Sequence, residues 1–332
     1  MNEGPKWEPA EPAEPTPTGD GRMALGQVLE VGRRILRRHW AVLLMISLLF
    51  VGPGALLSTA TALDFTLEAQ ELFPDIVNGS IDTDLRLTDA ELERLLGALL
   101  PFLGASLLAG VLSSIGALAF SKTVAEDYHA RPAEIGAVLR AALKRTPSAL
   151  VFMLVTGLLM IGLIVCGLVA MSVATLVLPV NAGGVGGPGA FVALIVVVGL
   201  ALALVYLTMR WAPAYTSMVE EDAGWRQALS RSWRLSSDNV LRIFAVSAIV
   251  AIITGLLSWV LGGVFEVFLS AIVGSTLGLD PMVTTTIALA AASTIVAPAM
   301  PVLMAVLFFD LRARRDEAPA PAASPPPPGP YG

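Results

Sequence analysis

Between Arg145 and Arg210 the chain runs for 64 residues without one formal charge. No soluble domain keeps such a run from water, and a helix crosses the ~30 Å hydrocarbon layer with about 20 residues. The run therefore marks an integral membrane protein. It is too long for one span, and Asn181 to Gly189 (NAGGVGGPG) interrupts it with residues that specify a tight connection. Two spans result, at about 148–172 and 190–210. Four more uncharged windows are long enough: Trp40 to Leu63, containing Pro53; Leu95 to Ser121; Ile243 to Phe265; and Val283 to Phe309, containing Pro298 and Pro301. Over the 332 residues, 55% are hydrophobic and 14% charged, well below the charged share of soluble domains. The expected fold is all-α and polytopic, with six transmembrane helices.

Orientation follows from the basic residues that flank the spans. Six lie before the first span, five in 121–147, five in 210–242 and three after the last span. Only Arg86 and Arg94 fall elsewhere, in a 64–94 loop that carries nine acidic residues. Both termini are thus expected in the cytoplasm, with the chain a multi-pass protein of the cell membrane. The first apolar run begins only at Trp40 and has full span length, so it reads as a retained span and not a cleaved leader. The 64–94 loop ends in Thr88-Asp89-Ala90-Glu91, an S/T-x-x-E capping box leading into the second span. Its carboxylates lack calcium-loop spacing and read as a solvated acidic face. Asn78-Gly79-Ser80 fits a glycosylation sequon, which means little if the source is bacterial. The use of 18 Arg to 3 Lys, with abundant Ala and Gly, is what a GC-rich bacterial genome encodes. Residues 1–22 and 316–332 are rich in proline and poor in apolar surface, so disordered cytoplasmic tails are expected. The Pro325 to Pro328 tract could dock on an aromatic groove, but a solvated tail is the simpler reading.

The segments before the odd-numbered spans are more than charged. Leu25, Val28, Leu29, Gly32 and Leu36 share one helical face; so do Ile135, Val138, Leu139 and Ala142, and again Trp225, Ala228, Leu229 and Trp233. The three align without gaps on Leu29, Leu139 and Leu229, each followed five residues later by Arg34, Lys144 or Arg234. The expected design is three cytoplasmic amphipathic helices in a threefold helix–hairpin pseudo-repeat, with parallel units at about 23–121, 133–211 and 223–309 within a 23–315 membrane domain. Thr146-Pro147 should cap and start the third span, and Ser236 to Asn239 should break the chain before the fifth. No such signal separates Arg38 from Trp40, so the first amphipathic helix is expected to run on into its span. Ala105, Ala109, Ser113 and Ala117 form a small-residue stripe that permits close helix approach.

Chemistry is sparse. Cys166 is the only cysteine, and His39 and His129 are the only histidines, which argues against a disulfide framework, a CxxC metal site or a His-based catalytic set. No catalytic residue, metal or cofactor is expected, and no nucleic-acid partner. Glu266 falls just beyond Trp259 at the outer interface, where the bland reading is a hydrated carboxylate and the sharper one an ion-coupling residue. The apolar stretch after it, Val267 to Val273, reads as interfacial or re-entrant. The amphipathic helices carry the better candidates. Arg33, Arg34, Arg37, Arg38, Arg140, Lys144, Arg145, Arg226, Arg231 and Arg234 are placed to meet anionic headgroups, with Trp225 and Trp233 as interfacial anchors. Against this stands the reading that the charges only set topology, though topology alone does not require their segregation onto helical faces. The expected partners are anionic membrane lipids and a membrane protein; the alternative is a transporter or permease subunit.

Arg210-Trp211-Ala212, then Glu220 or Glu221, then Ala228-Leu229-Ser230-Arg231-Ser232-Trp233-Arg234-Leu235, resembles the membrane domain fused to some glycerophosphoryl diester phosphodiesterases. Phe308-Phe309-Asp310-Leu311-Arg312-Ala313-Arg314 is similar to that family's ending. The likeness covers about residues 23–315 and implies a stand-alone six-span module. The phosphodiesterase chemistry belongs to a separate TIM-barrel domain, for which this chain has neither the length nor the residues.

Overall fold

The computed structural model describes residues 23–72, 88–177, 188–274, 278 and 281–316. The two tails apart from Asp316, the sequon, residues 73–87 of the 64–94 loop and most of the glycine-rich connection lie outside the described residues. Within them the chain is helical, with no strand, and six helical stretches are long and apolar enough to cross a membrane.

α1 (Leu25–Arg38) precedes the first span, which is built from α2 (Trp40–Ile46), a π-helical turn (Ser47–Val51) and α3 (Gly52–Leu72). Pro53 has no N–H and crowds the carbonyl four residues back, and the widened turn immediately before it absorbs that clash. α4 (Asp89–Tyr128) is the second span, opened by the expected capping box. Thr88 Oγ1 accepts the Glu91 N–H at 3.3 Å, and Glu91 Oε2 accepts the Thr88 N–H at 2.7 Å. α5 (Ile135–Val177) is the third span, and α6 (Pro188–Trp211) the fourth, with proline in its first turn. The chain breaks at Ala212-Pro213 and resumes as α7 (Ala214–Glu220). α8 (Trp225–Ser236) is the last amphipathic helix; α9 (Val240–Leu269) is the fifth span. The sixth span is split into α10 (Pro281–Val296) and α11 (Ala299–Asp316) at Ala297-Pro298.

The three amphipathic helices begin at Leu25, Ile135 and Trp225, the same position in the gapless alignment. Val28, Val138 and Ala228 are all fully buried, as are Ala142 and Ser232, and Gly32 is buried at their equivalent position. The equivalent buried positions thus carry small residues at i, i+4, joined by Ile35 on α1 and Leu235 on α8. The larger apolar side chains expected on that face lie at its margin: Leu25, Leu29, Leu36 and Trp225 are half-buried and Trp233 is exposed. Small residues bring the helix axis close enough to pack on protein; at Gly32 a Cβ would run into the Leu303 side chain.

Two expected boundaries are reversed. α5 runs unbroken through Thr146-Pro147, and the Thr146 hydroxyl donates to the Ala142 carbonyl within the same helix instead of capping a new one. Pro147 is exposed, so the carbonyl that it leaves unpaired is not forced into a dry interior. The chain bends instead at His39, between Arg38 and Trp40. His39 Nε2 lies 2.8 Å from Asp127 Oδ1 at the end of α4, a tertiary tie that pins the corner. The break before the fifth span falls at 237–239 as expected, although Ser236 and Ser237 donate backwards to carbonyls of α8 and cap nothing forward. Val267 to Leu269 simply prolong α9, and a π turn follows at Ser270–Gly274.

Ala130 follows α4 in the left-handed region, with φ 53°. The Arg131 N–H bonds the Glu126 carbonyl and the Ala130 N–H the Asp127 carbonyl, the Schellman pattern that usually carries glycine. Ala130→Gly is therefore expected to stabilise the protein by about 1 kcal/mol, measurable as a raised melting temperature in detergent.

α11 is the core. Every residue from Val302 to Leu311 is buried, the signature of a helix enclosed on all sides. α1, α4, α7, α8 and α9 pack around it at the end of the bundle where the basic residues gather.

Candidate functional site

Arg210 sits four residues after Tyr206, so both occupy one face of α6. Its guanidinium donates to the Tyr206 hydroxyl through Nε (3.0 Å) and Nη2 (2.6 Å), and to the Trp233 carbonyl through Nη1 (3.1 Å). It also lies 4.7 Å from the centre of the Trp233 ring, a cation–π distance. The break at Ala212-Pro213 leaves the last carbonyls of α6 without helical donors. Ser232 takes up the Arg210 carbonyl at 2.5 Å and Ser236 adds a longer bond at 3.4 Å. Arg231 pairs with Glu221, just past α7, at 3.0 Å. Arg210, Glu221, Arg231, Ser232 and Trp233, all within the motif that carries the family resemblance, thus form one latch holding α8 across α6 and α7.

The latch creates a groove of about 550 Å³ between α8 and the third and fourth spans. Leu159, Leu207 and Leu229 give it an apolar lining, together with Trp211, Trp225 and Trp233. Arg226 and Arg234 complete it with exposed guanidiniums, Arg226 lying 5.0 Å from the Trp225 ring centre. Neither arginine has a carboxylate partner among the described residues.

The other predicted basic residues divide into paired and open ones. Arg145 pairs with Asp222, where Lys144 also approaches to 3.9 Å, and Arg231 is held in the latch. Arg38 lies 3.2 Å from Asp127. Arg33 bonds Glu30 at 2.7 Å, and that hydrogen bond, against an opposing desolvation and with help from the Arg33 and Arg34 charges, holds the Glu30 carboxyl below its usual range. Arg33, Arg34, Arg37 and Arg38 line a shallow depression of about 350 Å³ with Glu30 alone; it has no aromatic or aliphatic side chain in its lining. Arg140 is exposed and separate.

One arrangement was not legible in the sequence. In each unit, basic residues near the start of the first span meet a carboxylate near the end of the second: Arg38 and His39 with Asp127, Arg145 with Asp222, Arg242 with Asp310. Asp310 is fully buried and accepts from Arg242 Nε (3.0 Å), Arg314 Nε (3.0 Å) and the Met23 N–H (2.7 Å). The D-L-R-x-R ending held the only signal for it. The three units also join at His129, Glu220 and Arg312, with Tyr128 stacked on Phe309 at 4.0 Å.

Glu266 lies towards the opposite end of α9 from Arg242, exposed, and accepts a hydrogen bond from the Thr285 hydroxyl of α10 at 3.0 Å. Cys166 is exposed on α5. Among the described residues no three His, Cys, Asp or Glu side chains gather as a metal set. Comparison with family models, with curated proteins and with solved structures gave no match to this chain.

Proposed function

We propose that this is a non-enzymatic protein of the bacterial cell membrane, with its basic end in the cytoplasm, that seats an anionic phospholipid beneath α8 and organises a membrane-protein partner around it. The observation that carries this reading is the meeting of two guanidiniums without a carboxylate partner among the described residues, Arg226 and Arg234, with a tryptophan-lined apolar groove. Tryptophan favours headgroup depth, basic side chains attract anionic headgroups, and the leucines suit the first methylenes of a chain. The groove unites four residues of the sequence expectation: Trp225, Arg226, Trp233 and Arg234. The proposed family is the phosphodiesterase-associated membrane domain that the latch residues resemble, without the separate catalytic domain.

Neutralising both arginines as Arg226→Gln with Arg234→Gln should weaken retention of phosphatidylglycerol about 30-fold, from about 1 kcal/mol for each basic side chain. Mass spectrometry of lipids retained on the detergent-purified protein measures this, and unchanged retention would refute the site. A permease subunit is the second reading, favoured by the two spans broken at Ala212-Pro213 and Ala297-Pro298. Solute flux in proteoliposomes that disappears on Glu266→Gln would select it instead.

A further inference from the structure

Behind the groove lies a second space, a cavity of about 460 Å³ between α4, α5, α6, α7 and α11. It exists because two spans are broken at neighbouring places. Trp211, Ala212 and Tyr215 flank the break before α7, and Met300 and Pro301 follow the break before α11. Neither broken span can pack as one straight cylinder, so a gap is left between them.

The lining is chemically hydrocarbon. Phe152, Met153, Met160 and Met304 contribute apolar surface, and no carboxylate, lysine or arginine contributes at all. The hydroxyls present are already engaged. Thr156 donates to the Phe152 carbonyl at 2.8 Å and Thr208 to the Leu204 carbonyl at 2.8 Å, each within its own helix. Thr216 donates to Ser121 at 3.3 Å, and the Tyr215 hydroxyl lies 3.2 Å from Ser114 Oγ. No charged side chain is there to hold an ion, and a polar metabolite would meet only hydroxyls already bonded to the protein. An empty apolar cavity destabilises a fold in proportion to its volume, and the surrounding membrane supplies hydrocarbon to fill it.

The cavity adjoins the groove. Trp211 lines both, and Leu159 and Leu207 of the groove are the chain neighbours of Met160 and Thr208 of the cavity. Its α5 lining, Phe152 to Met160, begins seven residues past Arg145. At 1.5 Å per residue that is about 10–22 Å from the basic end, the depth of acyl chains in one leaflet.

We propose that the cavity houses one acyl chain of the phospholipid whose headgroup meets Arg226 and Arg234, the chain entering past Trp211. This rests on the lipid-binding reading above and extends it from a headgroup site to a site for the whole lipid. The site would then select for chain length as well as charge.

The test uses the full chain reconstituted in phosphatidylcholine vesicles doped with phosphatidylglycerol that carries a photoactivatable diazirine on one acyl chain. Cross-links are mapped by peptide mass spectrometry. The expected labels fall on Met153, Met160, Met300 and Met304. Gly157 lines the cavity, and a Cβ there meets nothing within 4 Å, so the side chain of Gly157→Phe starts in open space and takes up cavity volume. It should cut cavity labelling roughly tenfold, the factor that losing about two buried methylenes gives. Thr156→Met is the second filling variant should Gly157→Phe fail to express. Labels on groove residues alone would overturn the acyl-chain proposal and leave the headgroup reading intact. Labelling that is indifferent to Arg226→Gln with Arg234→Gln, or equal from diazirine-bearing phosphatidylcholine, would overturn the headgroup reading itself.

Discussion

Asp310→Ala is expected to destabilise the protein by about 3 kcal/mol, more than any change in the groove. The carboxylate is fully buried, and removing it strips the counter-charge from Arg242 and Arg314, whose side chains are only 19% and 27% exposed. Breaking one side of such a pair costs about 3–5 kcal/mol, and the residual solvent at the guanidiniums puts this case at the lower end. The damage also reaches the first unit. Arg242 and Arg314 each donate to the Met23 carbonyl at 2.6 Å, while Asp310 accepts the Met23 N–H, so the peptide just before α1 is gripped from both sides. Melting in detergent should fall sharply, and limited proteolysis should open α1 before any span. Asp310→Asn retains an acceptor for Met23 and should lie between alanine and wild type. Replacing Asp310, Arg242 and Arg314 together by leucine should cost less than Asp310→Ala alone, because no uncompensated charge is left. If the triple variant were the less stable, the ion cluster would be a net source of stability.

The second large effect is steric. A Cβ on Gly54 would stand 3.0 Å from Ala109 Cα and 3.2 Å from its Cβ. The obstacle is largely the main chain of α4, which no rotamer change can move aside. Gly54→Val should therefore cost about 3 kcal/mol, the upper part of the range for overpacking, by forcing α3 and α4 apart. Gly104, on α4 itself, meets nothing within 4 Å. Gly104→Ala should be neutral or stabilising by up to about 1 kcal/mol. Equal melting temperatures for the two variants would show that close approach at Gly54 does not hold the hairpin together.

These contrasts show which parts of the fold are written locally. The six spans were legible because membrane insertion is a property of each stretch by itself, and the capping box at Thr88 because its partners are three residues apart. The small-residue stripe on α4 was legible too, but not that Ala109 meets Gly54, nor that Ser113 turns outward while Ser114 goes inward. The corner at His39 and the continuity through Pro147 were read the wrong way round. A proline is visible in the sequence, whereas a hydrogen bond from His39 to a residue 88 positions later is not. The groove was half legible. Trp225, Trp233, Arg226 and Arg234 stood out by type and spacing, while Leu159 and Leu207 looked like ordinary span residues until α8 was laid against them. Arg145 and Arg231 looked equal to Arg226 and Arg234; only the positions of Asp222 and Glu221 separate them.

The enclosure of α11 has a consequence for how the protein is made. The helix around which the others gather is the second half of the sixth span, the last of the described helices to leave the ribosome. At about 5–20 residues per second, some tens of seconds pass between synthesis of α1 and arrival of the helix that covers its Val28, Gly32 and Ile35 face. Through that interval α1 and α8 must rest against something provisional, either the bilayer surface or the insertion machinery. Assembly is thus not a sequence of independent hairpins closing in turn. It is a vestibule of five helices awaiting its keystone, and a ribosome stalled before residue 299 would leave every early unit inserted and none of them finished.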